Sequence, residues 1–220
     1  MTIISIDFSI LYPGICICKD FKYFDWIAII NAKISKKDRK KIEDSLYHYP
    51  NLMVDYTSTV RATQPEYHLT ERNKLINYLE LIDLIVEKVL SKLDKEEKVI
   101  IALEGISFGS SGNSLVDISQ ATGILKKAII GSILNGDFDR FFIFSPSELK
   151  NAIGCKGNAN KLDIFNKFKE DPGIESVKES DLHKFVNNES WILDKNRVLS
   201  PFVDMIDSYL GVKKIYDLLK

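Results

Sequence analysis

The hydrophobic pattern of the chain changes period near residue 70, and this change constrains the fold more than any other feature. Before it lie three segments rich in strand-forming residues, TIISID, ICICK and YFDWIAII, joined by short connections. Beyond it, apolar residues from Leu75 to Leu93 recur at steps of three and four, which is typical of an amphipathic helix. KVIIALE then predicts a buried strand, residues 115–134 predict a second helix, and RFFIFSP predicts a strand that stops at Pro146. This order predicts an α/β fold with a mixed five-stranded sheet flanked by helices.

The rest of the chain adds short helices and two polar segments. Residues 147–153 and 160–168 have the pattern of short helices, and a last helix is expected to begin at the Ser-Pro of SPFVDMIDSYL. Residues 35–68 and 170–200 are polar without a clear period, so we interpret them as irregular insertions. The sequence shows no internal repeat or low-complexity linker, and we expect residues 1–220 to form a single domain that carries both insertions.

Composition and charge limit the function classes. The formal net charge is -1, so the chain as a whole is not a polycation, although a local basic groove can still bind nucleic acid. The three cysteines match no zinc-binding spacing, and Cys16 and Cys18 alternate within a predicted strand, so both should be buried on one face. Because the sequence contains no signal segment and no apolar run near about eighteen residues, we expect a soluble, cytoplasmic protein without a membrane partner.

Four acids occur on predicted elements where they could converge. Asp7 ends the first strand, Glu104 ends KVIIALE, and Asp204 and Asp207 lie on one face of the last helix. If the two strands are parallel, Asp7 and Glu104 project from the sheet edge at which α/β proteins bind ligands. Converging carboxylates repel one another unless cations are present, and two Mg2+ ions about 4 Å apart would create a centre for phosphodiester cleavage. Each acid alone is more typical of a turn or a solvated helix face than of a functional site, but their combination favours a metal site.

Five stretches of the chain follow one another in an order that is typical of one nuclease family. They are IISIDFS, IALEGISFGSSGNS, DISQATGILKKAII, FSPSELKNAIGCKGNANKLDIFNKF and VDMIDSYL. In these stretches the chain resembles the RuvC family of Holliday-junction resolvases, which belongs to the RNase H-like nucleases. The resemblance implies an RNase H-like fold, with Asp7, Glu104, Asp204 and Asp207 as catalytic ligands of two Mg2+ ions, for which Mn2+ can substitute.

The resemblance also implies a substrate and a partner. Members of the family act as homodimers that hydrolyse four-way junctions and other branched DNA during DNA recombination, leaving 5′-phosphate and 3′-hydroxyl ends. The two polar segments resemble additions that bacteriophage members carry, which would place the protein in the host-cell cytoplasm.

The polar loops next to the predicted acids are the expected DNA contacts. Ser107, Phe108 and Asn113 follow Glu104, and Phe108 is near the place where the family carries an aromatic that wedges into the junction. A core phenylalanine is an equally good interpretation. Cationic, amide and hydroxyl groups suit phosphate oxygens, although each lysine alone is typical of a solvated helix face. The further candidates are Lys126, Lys127, Lys150, Lys156, Asn158 and Lys161, while the run KKDRKK at 36–41 fits a DNA-binding arm and a solvated loop equally well.

Three other functions are compatible with parts of this pattern. An ATPase of the actin and sugar-kinase type also begins with a strand, an acid and a polar turn, but the sequence lacks the second glycine-rich phosphate loop. An RNase H-like nuclease that cuts flaps or RNA/DNA hybrids would keep both fold and site. A non-catalytic DNA-junction-binding protein would keep the fold, although a degenerate site usually lacks at least one of the acids.

Overall fold

The computed structural model describes residues 1–57, 63–94, 97–106, 112–194 and 197–220. The strands are β1 (Thr2–Asp7), β2 (Gly14–Lys19), β3 (Tyr23–Ile30), β4 (Leu52–Tyr56), β5 (Val99–Glu104), β6 (Phe141–Phe144), β7 (Leu193–Asp194) and β8 (Arg197–Val198). The helices are α1 (Lys36–Leu46), α2 (Tyr67–Leu90), α3 (Asn113–Ser132), α4 (Pro146–Ala152), α5 (Lys161–Glu170), α6 (Asp181–Asn188) and α7 (Phe202–Leu218). Short 3-10 helices lie at Phe138–Arg140, Glu175–Glu179 and Ser190–Ile192.

The main sheet is mixed and has the strand order β4-β3-β2-β1-β5-β6. β1, β2 and β3 form an antiparallel meander, whereas β5 lies parallel to β1 and β6 lies parallel to β5. These five strands are the ones that the sequence pattern predicts, and with helices on both faces they confirm the predicted α/β fold with a mixed sheet. The sheet has a sixth strand, β4, which lies parallel to β3 at the edge.

The expectation that residues 35–68 are irregular is wrong for most of the segment. Ser35 caps α1, because its side chain accepts a hydrogen bond from the backbone N–H of Asp38. The basic run KKDRKK therefore begins a helix, whose one buried residue is Ile42. A single buried position in α1, and a partly exposed edge strand in β4, leave no hydrophobic period for sequence analysis to detect.

The polar segment 170–200 is also more regular than expected. It contains two 3-10 helices, α6 and the β7–β8 hairpin. Its apolar residues are buried in short groups, among them Leu182, Phe185 and Val186 on α6. The segment packs against the region around α1, since the Tyr49 and Phe185 rings lie 5.2 Å apart and the carboxylate of Asp181 accepts a hydrogen bond from a backbone N–H after α1.

Helices cover both faces of the sheet. Buried residues of α2 and α3 pack with Ile4, Ile6 and their neighbours on one face, while α5, α6 and α7 pack on the other with Cys16 and Cys18. Both cysteines are fully buried, as predicted.

Two glycines let α7 lie directly on the sheet. A Cβ at Gly14 of β2 would overlap the backbone carbonyl of Asp204, and one at Gly211 would overlap the hydroxyl of Ser5 on β1. The helix begins at Phe202, one residue later than the sequence pattern suggests, with Pro201 at the N-cap. Its close contact fixes the first turn of α7 next to the ends of β1 and β2.

Helices of the described ranges are all too short or too polar to cross a lipid bilayer.

Candidate active site at the carboxyl edge of the sheet

The parallel pairing of β1 and β5 brings two of the predicted acids to one edge. Asp7 is the last residue of β1 and Glu104 is the last residue of β5, and the two strands pair from Thr2–Val99 to Ile6–Leu103. Each strand is buried up to its final acid, which is partly accessible. The prediction that these carboxylates share an edge is therefore confirmed.

Asp204 and Asp207 approach the same edge from α7. They are only 4% and 8% exposed, because the first turns of α7 pack on β1 and β2. Carboxylate oxygens of Asp7, Asp204 and Asp207 all lie within 4.8 Å of one another. Glu104 lines the same cavity and forms a hydrogen bond with Asp7, so the structure brings all four predicted acids together.

A cavity of about 370 Å³ opens above these acids, and we call it the acidic cavity. Its walls come from the strand ends and from the starts of α4, α5 and α7. Its lining residues are Asp7, Ser9, Glu104, Pro146, Leu149, Lys150, Ala159, Asn160, Lys161, Ile164, Asp204, Asp207 and Leu210. The cavity is open to solvent on one side and therefore accessible to an ion or to part of a larger ligand.

The acids raise one another's pKa values. Burial, followed by the charges of Asp207, Glu104 and Asp204, raises the pKa of Asp7 well above its usual value. Burial and the charge of Asp207 raise the pKa of Glu104 to about 7, and burial also raises the pKa of Asp207. Without a cation, the raised pKa values of Asp7, Glu104 and Asp207 let these three acids hold protons at a pH at which isolated carboxyl groups have lost them.

One lysine partly compensates this charge. The Nζ of Lys161 lies 2.9 Å from Oδ1 of Asp204 and 3.2 Å from Oδ2 of Asp207. Proximity to these carboxylates raises the pKa of Lys161, more than offsetting its partial burial. Lys161 forms ion pairs with only two of the four acids, so the cluster still lacks positive charge.

The remaining oxygens of the two helix acids fit a metal ion. Oδ2 of Asp204 and Oδ1 of Asp207 are buried and have no hydrogen-bond partner among the described residues. A buried carboxylate oxygen without a partner is costly, and a divalent cation would satisfy it. The site therefore offers several carboxylate oxygens, two of which have free lone pairs, and such hard oxygen ligands suit Mg2+.

Lys150 also lines the acidic cavity. Ser145 and Glu148 form a capping box that fixes the start of its helix, α4. Its Nζ donates a hydrogen bond to the carbonyl oxygen of Ala159 at 2.8 Å, and its charge lowers the pKa of Glu104. Lys150 and Lys161 are thus the two predicted DNA-contacting lysines that the structure places at the acids.

Other predicted DNA contacts lie elsewhere. Lys156 and Asn158 are exposed and line a separate cavity of about 310 Å³ beside Cys155. Lys126 and Lys127 are more than three turns along α3, which at about 1.5 Å per residue is roughly 20 Å from its first residue. Asn113 is that first residue, and Ser107 and Phe108 lie outside the described residues.

Two polar residues of the acidic cavity, Ser9 and Asn160, are not among the predicted site residues. Ser9 follows Asp7 by two residues, so its place just beyond a strand end is a signal that sequence analysis could use. Asn160 caps α5 by accepting a hydrogen bond from the N–H of Asp163. Its sequence context indicates only the helix start, and its position at the cavity depends on tertiary packing.

Comparisons with known proteins give matches to solved structures. Neither a scan against protein-family models nor a search of curated proteins gives a match. A structure of Thermus thermophilus RuvC aligns over 99% of this chain and 96% of its own length, with 11% identity and a TM-score of 0.47. A structure of T. thermophilus RuvC in complex with a Holliday junction substrate aligns over the same shares, with 12% identity and a TM-score of 0.46. At these values the likeness carries no functional conclusion for this chain.

Proposed function

We propose that the protein is a metal-dependent endonuclease that cuts branched DNA, four-way junctions above all, by hydrolysing phosphodiester bonds to 5′-phosphate and 3′-hydroxyl ends. The convergence of Asp7, Glu104, Asp204 and Asp207 on one open cavity supports this proposal. An open cluster of carboxylates with unsatisfied oxygens suits an ion that also contacts a phosphate, whereas a closed cage suits a purely structural ion.

The chain's own residues would hold two Mg2+ ions or, in their place, Mn2+. Asp7, Asp204 and Asp207 offer the shared ligand set, with Glu104 on the neighbouring strand end. When bound, the ions supply Lewis-acid stabilisation of phosphoryl charge and activation of water. Gly14 keeps the backbone of Asp204 close to β2, so the acid is positioned before any ion binds.

The lysines of the cavity would orient the substrate. The side chain of Lys161 is 56% exposed although its Nζ touches two acids, so it can exchange a carboxylate for a phosphate oxygen. Lys150 is held by the Ala159 carbonyl and adds a second positive charge near Glu104. Both ammonium groups attract the backbone phosphates and leave base recognition to other contacts.

Paired cuts on opposed strands require two active sites, and we propose a homodimer. Leu75 and Leu79 are 48% and 42% exposed and lie one turn apart on α2. Exposed Arg72 precedes this pair, and exposed Asp83 follows it. In an antiparallel copy of α2, Arg72 would therefore face Asp83 of the partner subunit while the leucines pack together, which makes the surface self-complementary.

Light scattering tests the homodimer. The proposal predicts twice the chain mass of 25.1 kDa, and a monomer for the double variant Leu75→Lys, Leu79→Lys. Leu218→Lys, at an equally exposed leucine near the end of α7, should remain dimeric. A wild-type complex that contains one protein chain per junction would contradict paired cutting.

A cleavage assay tests the function. Purified protein is incubated with a labelled immobile four-way junction and with matched duplex, flap and RNA/DNA hybrid controls, in Mg2+, in Mn2+ and in EDTA. Metal-dependent nicks at symmetric positions of the junction, with 5′-phosphate ends, are expected. Preferential cutting of flaps or hybrids would change the substrate assignment, and junction binding without any cutting would leave a non-catalytic junction-binding protein.

A further inference from the structure

A second cavity of about 590 Å³ adjoins the acidic cavity, and we call it the side groove. The two cavities share Asn160 and Lys161 as a common wall. The side groove is lined by Asn160, Lys161, Leu162, Arg197, Val198, Ser200 and Val203. Its size is within the range of ligand-binding pockets, and a ligand that leaves the acidic cavity past Lys161 enters it directly.

Positive charge predominates in the side groove. Arg197 is exposed, and within the described ranges its guanidinium makes neither a hydrogen bond nor an ion pair. The described lining residues include the cations Lys161 and Arg197 and the hydroxyl of Ser200, but no carboxylate. The first residues of α5 also belong to this wall, so the positive end of the helix dipole adds to the field.

Packing holds the backbone of Arg197 at this place. Arg197 pairs with Asp194 in the β7–β8 hairpin, and the neighbouring Val198 is buried. The backbone N–H of Leu199 donates a hydrogen bond to the carbonyl of Ile192, which closes the base of the hairpin. The hairpin strand β8 packs against α5, so Arg197 is attached to the same helix start that carries Lys161.

Apolar groups form the rest of the side groove. Leu162, Val198 and Val203 line the side groove beside the cationic groups, and Leu162 is the most accessible of the three. A free inorganic anion makes no favourable contact with apolar side chains, whereas the sugars of a nucleic-acid strand do. A surface that combines cationic and apolar groups therefore suits a phosphate-sugar backbone.

We propose that the side groove binds the backbone of the cleaved DNA strand next to the scissile phosphate, with Arg197 contacting a non-scissile phosphate. This inference rests on the proposed nuclease function. A strand whose scissile phosphate lies at the acids must leave the acidic cavity, and the wall at Lys161 leads into the side groove. A guanidinium can bind a phosphate through two parallel hydrogen bonds, so Arg197 fixes strand position as well as adding affinity.

The first test measures junction affinity and its salt dependence. Ca2+ replaces Mg2+ to limit cleavage, and wild type, Arg197→Ala, Arg197→Lys and Lys22→Ala are compared on the same four-way junction. Lys22 is exposed in the β2–β3 connection, at the other end of the sheet, and serves as the matched control. Losing one phosphate contact should weaken binding by roughly tenfold for Arg197→Ala and lower the salt slope by about 1. Arg197→Lys should recover part of this loss, and Lys22→Ala should behave as wild type.

The second test identifies the phosphate. Single methylphosphonates, which remove one backbone charge each, are placed at successive positions beside the cleavage site. A methylphosphonate at one of these positions should weaken wild-type binding about as much as Arg197→Ala does. The same methylphosphonate should not weaken binding by the Arg197→Ala variant any further. Thermal unfolding of the variants controls for folding, because Arg197 is exposed and its removal should leave the melting temperature unchanged.

The outcomes separate this proposal from the proposed function. The role of the side groove would be overturned if Arg197→Ala bound the junction as tightly as wild type, or if its effect added to that of every methylphosphonate. If the wild-type protein still cleaved junctions in that case, the nuclease proposal would remain intact. Absence of both binding and cleavage in the wild-type protein would overturn both.

Discussion

The acidic cavity and the side groove share a wall at Asn160 and Lys161 but have opposite charge. One is lined by four acids and two lysines, the other by an arginine and a lysine among apolar residues. Polyanionic DNA is repelled by the first cavity and attracted by the second. Their adjacency makes chemical sense if cations fill the acidic cavity when the strand binds.

The two cavities also differ in how the chain builds them. The acids lie on strand ends and on a helix packed directly against the sheet, so regular elements determine their geometry. Arg197 lies in a two-residue strand of a segment that connects α6 to α7. This difference suggests that the fold itself supplies the chemistry, whereas the connecting segments adapt the surface to a substrate.

Asp7→Asn should have the largest effect, because it removes a carboxylate of the acidic cavity and leaves the side groove unchanged. Junction cleavage in Mg2+ should fall by at least about a thousandfold, as expected for loss of a group that stabilises transition-state charge. Junction affinity measured in Ca2+ should stay within a few-fold of wild type. Asp139→Asn, at an exposed acid in the 3-10 helix before β6, is the control and should cleave normally. Retained cleavage by pure Asp7→Asn protein would exclude Asp7 from the reaction.

The pH dependence of stability distinguishes a strained acidic cavity from an ordinary acidic surface. The folded-state pKa of Glu104 is raised from 4.5 to about 7, so the folded protein holds more protons than the unfolded chain between these values. Its contribution to stability is thus fully present below about pH 4.5 and is lost as the pH rises through about 7. The raised pKa of Glu104 corresponds to a loss of about 3 kcal/mol in the free energy of unfolding across this pH range.

Thermal or chemical unfolding in EDTA from about pH 5 to pH 8 measures this effect. Glu104→Gln should flatten the dependence, whereas Glu80→Gln, at an exposed position of α2, should leave it unchanged. Adding Mg2+ near pH 8 should restore most of the lost stability, since bound cations compensate the ionised acids. If wild type and Glu104→Gln showed the same pH dependence of stability, the ionised Glu104 would not be destabilising the folded protein.

Gly14→Ala tests whether backbone contact positions the acids. The added Cβ would push against the carbonyl of Asp204, so the start of α7 must shift. We expect a loss of about 2 kcal/mol in the free energy of unfolding, together with weaker Mg2+ binding. Gly123→Ala is the matched control, because a Cβ there meets open space in α3, and it should be neutral or stabilising. Equal Mg2+ affinity in Gly14→Ala and wild type would show that the acids do not depend on this contact.

Local sequence patterns predict the acidic cavity well for a physical reason. Asp7 and Glu104 each end a run of buried strand residues, and parallel pairing brings such ends together without further information. Asp204 and Asp207 follow from helical spacing beside an apolar stripe. The same logic predicts β1, β2, β3 and β5, whose residues are almost all buried.

The side groove and the edge of the sheet depend on contacts between distant parts of the chain. β4 becomes a strand by pairing with β3, and α1 buries only Ile42, so neither carries a strong pattern of its own. Arg197 gains its place because β8 packs against α5, more than thirty residues away in sequence. Composition and spacing do not contain that information.

Lys161→Gln should affect the two cavities in opposite directions, because this lysine lines both of them. Its ammonium competes with metal ions for Asp204 and Asp207, so removing it should raise Mg2+ affinity by about fivefold, equivalent to about 1 kcal/mol for a partly exposed ion pair. Junction affinity in Ca2+ should instead fall, since the shared wall loses a phosphate-binding charge. Titration calorimetry with Mg2+ and a binding assay with the junction measure the two effects, and Lys156→Gln, exposed on the loop before α5, should leave Mg2+ affinity unchanged. If Mg2+ affinity falls in Lys161→Gln, the lysine supports the metal site instead of competing for it, and the two cavities cooperate through it.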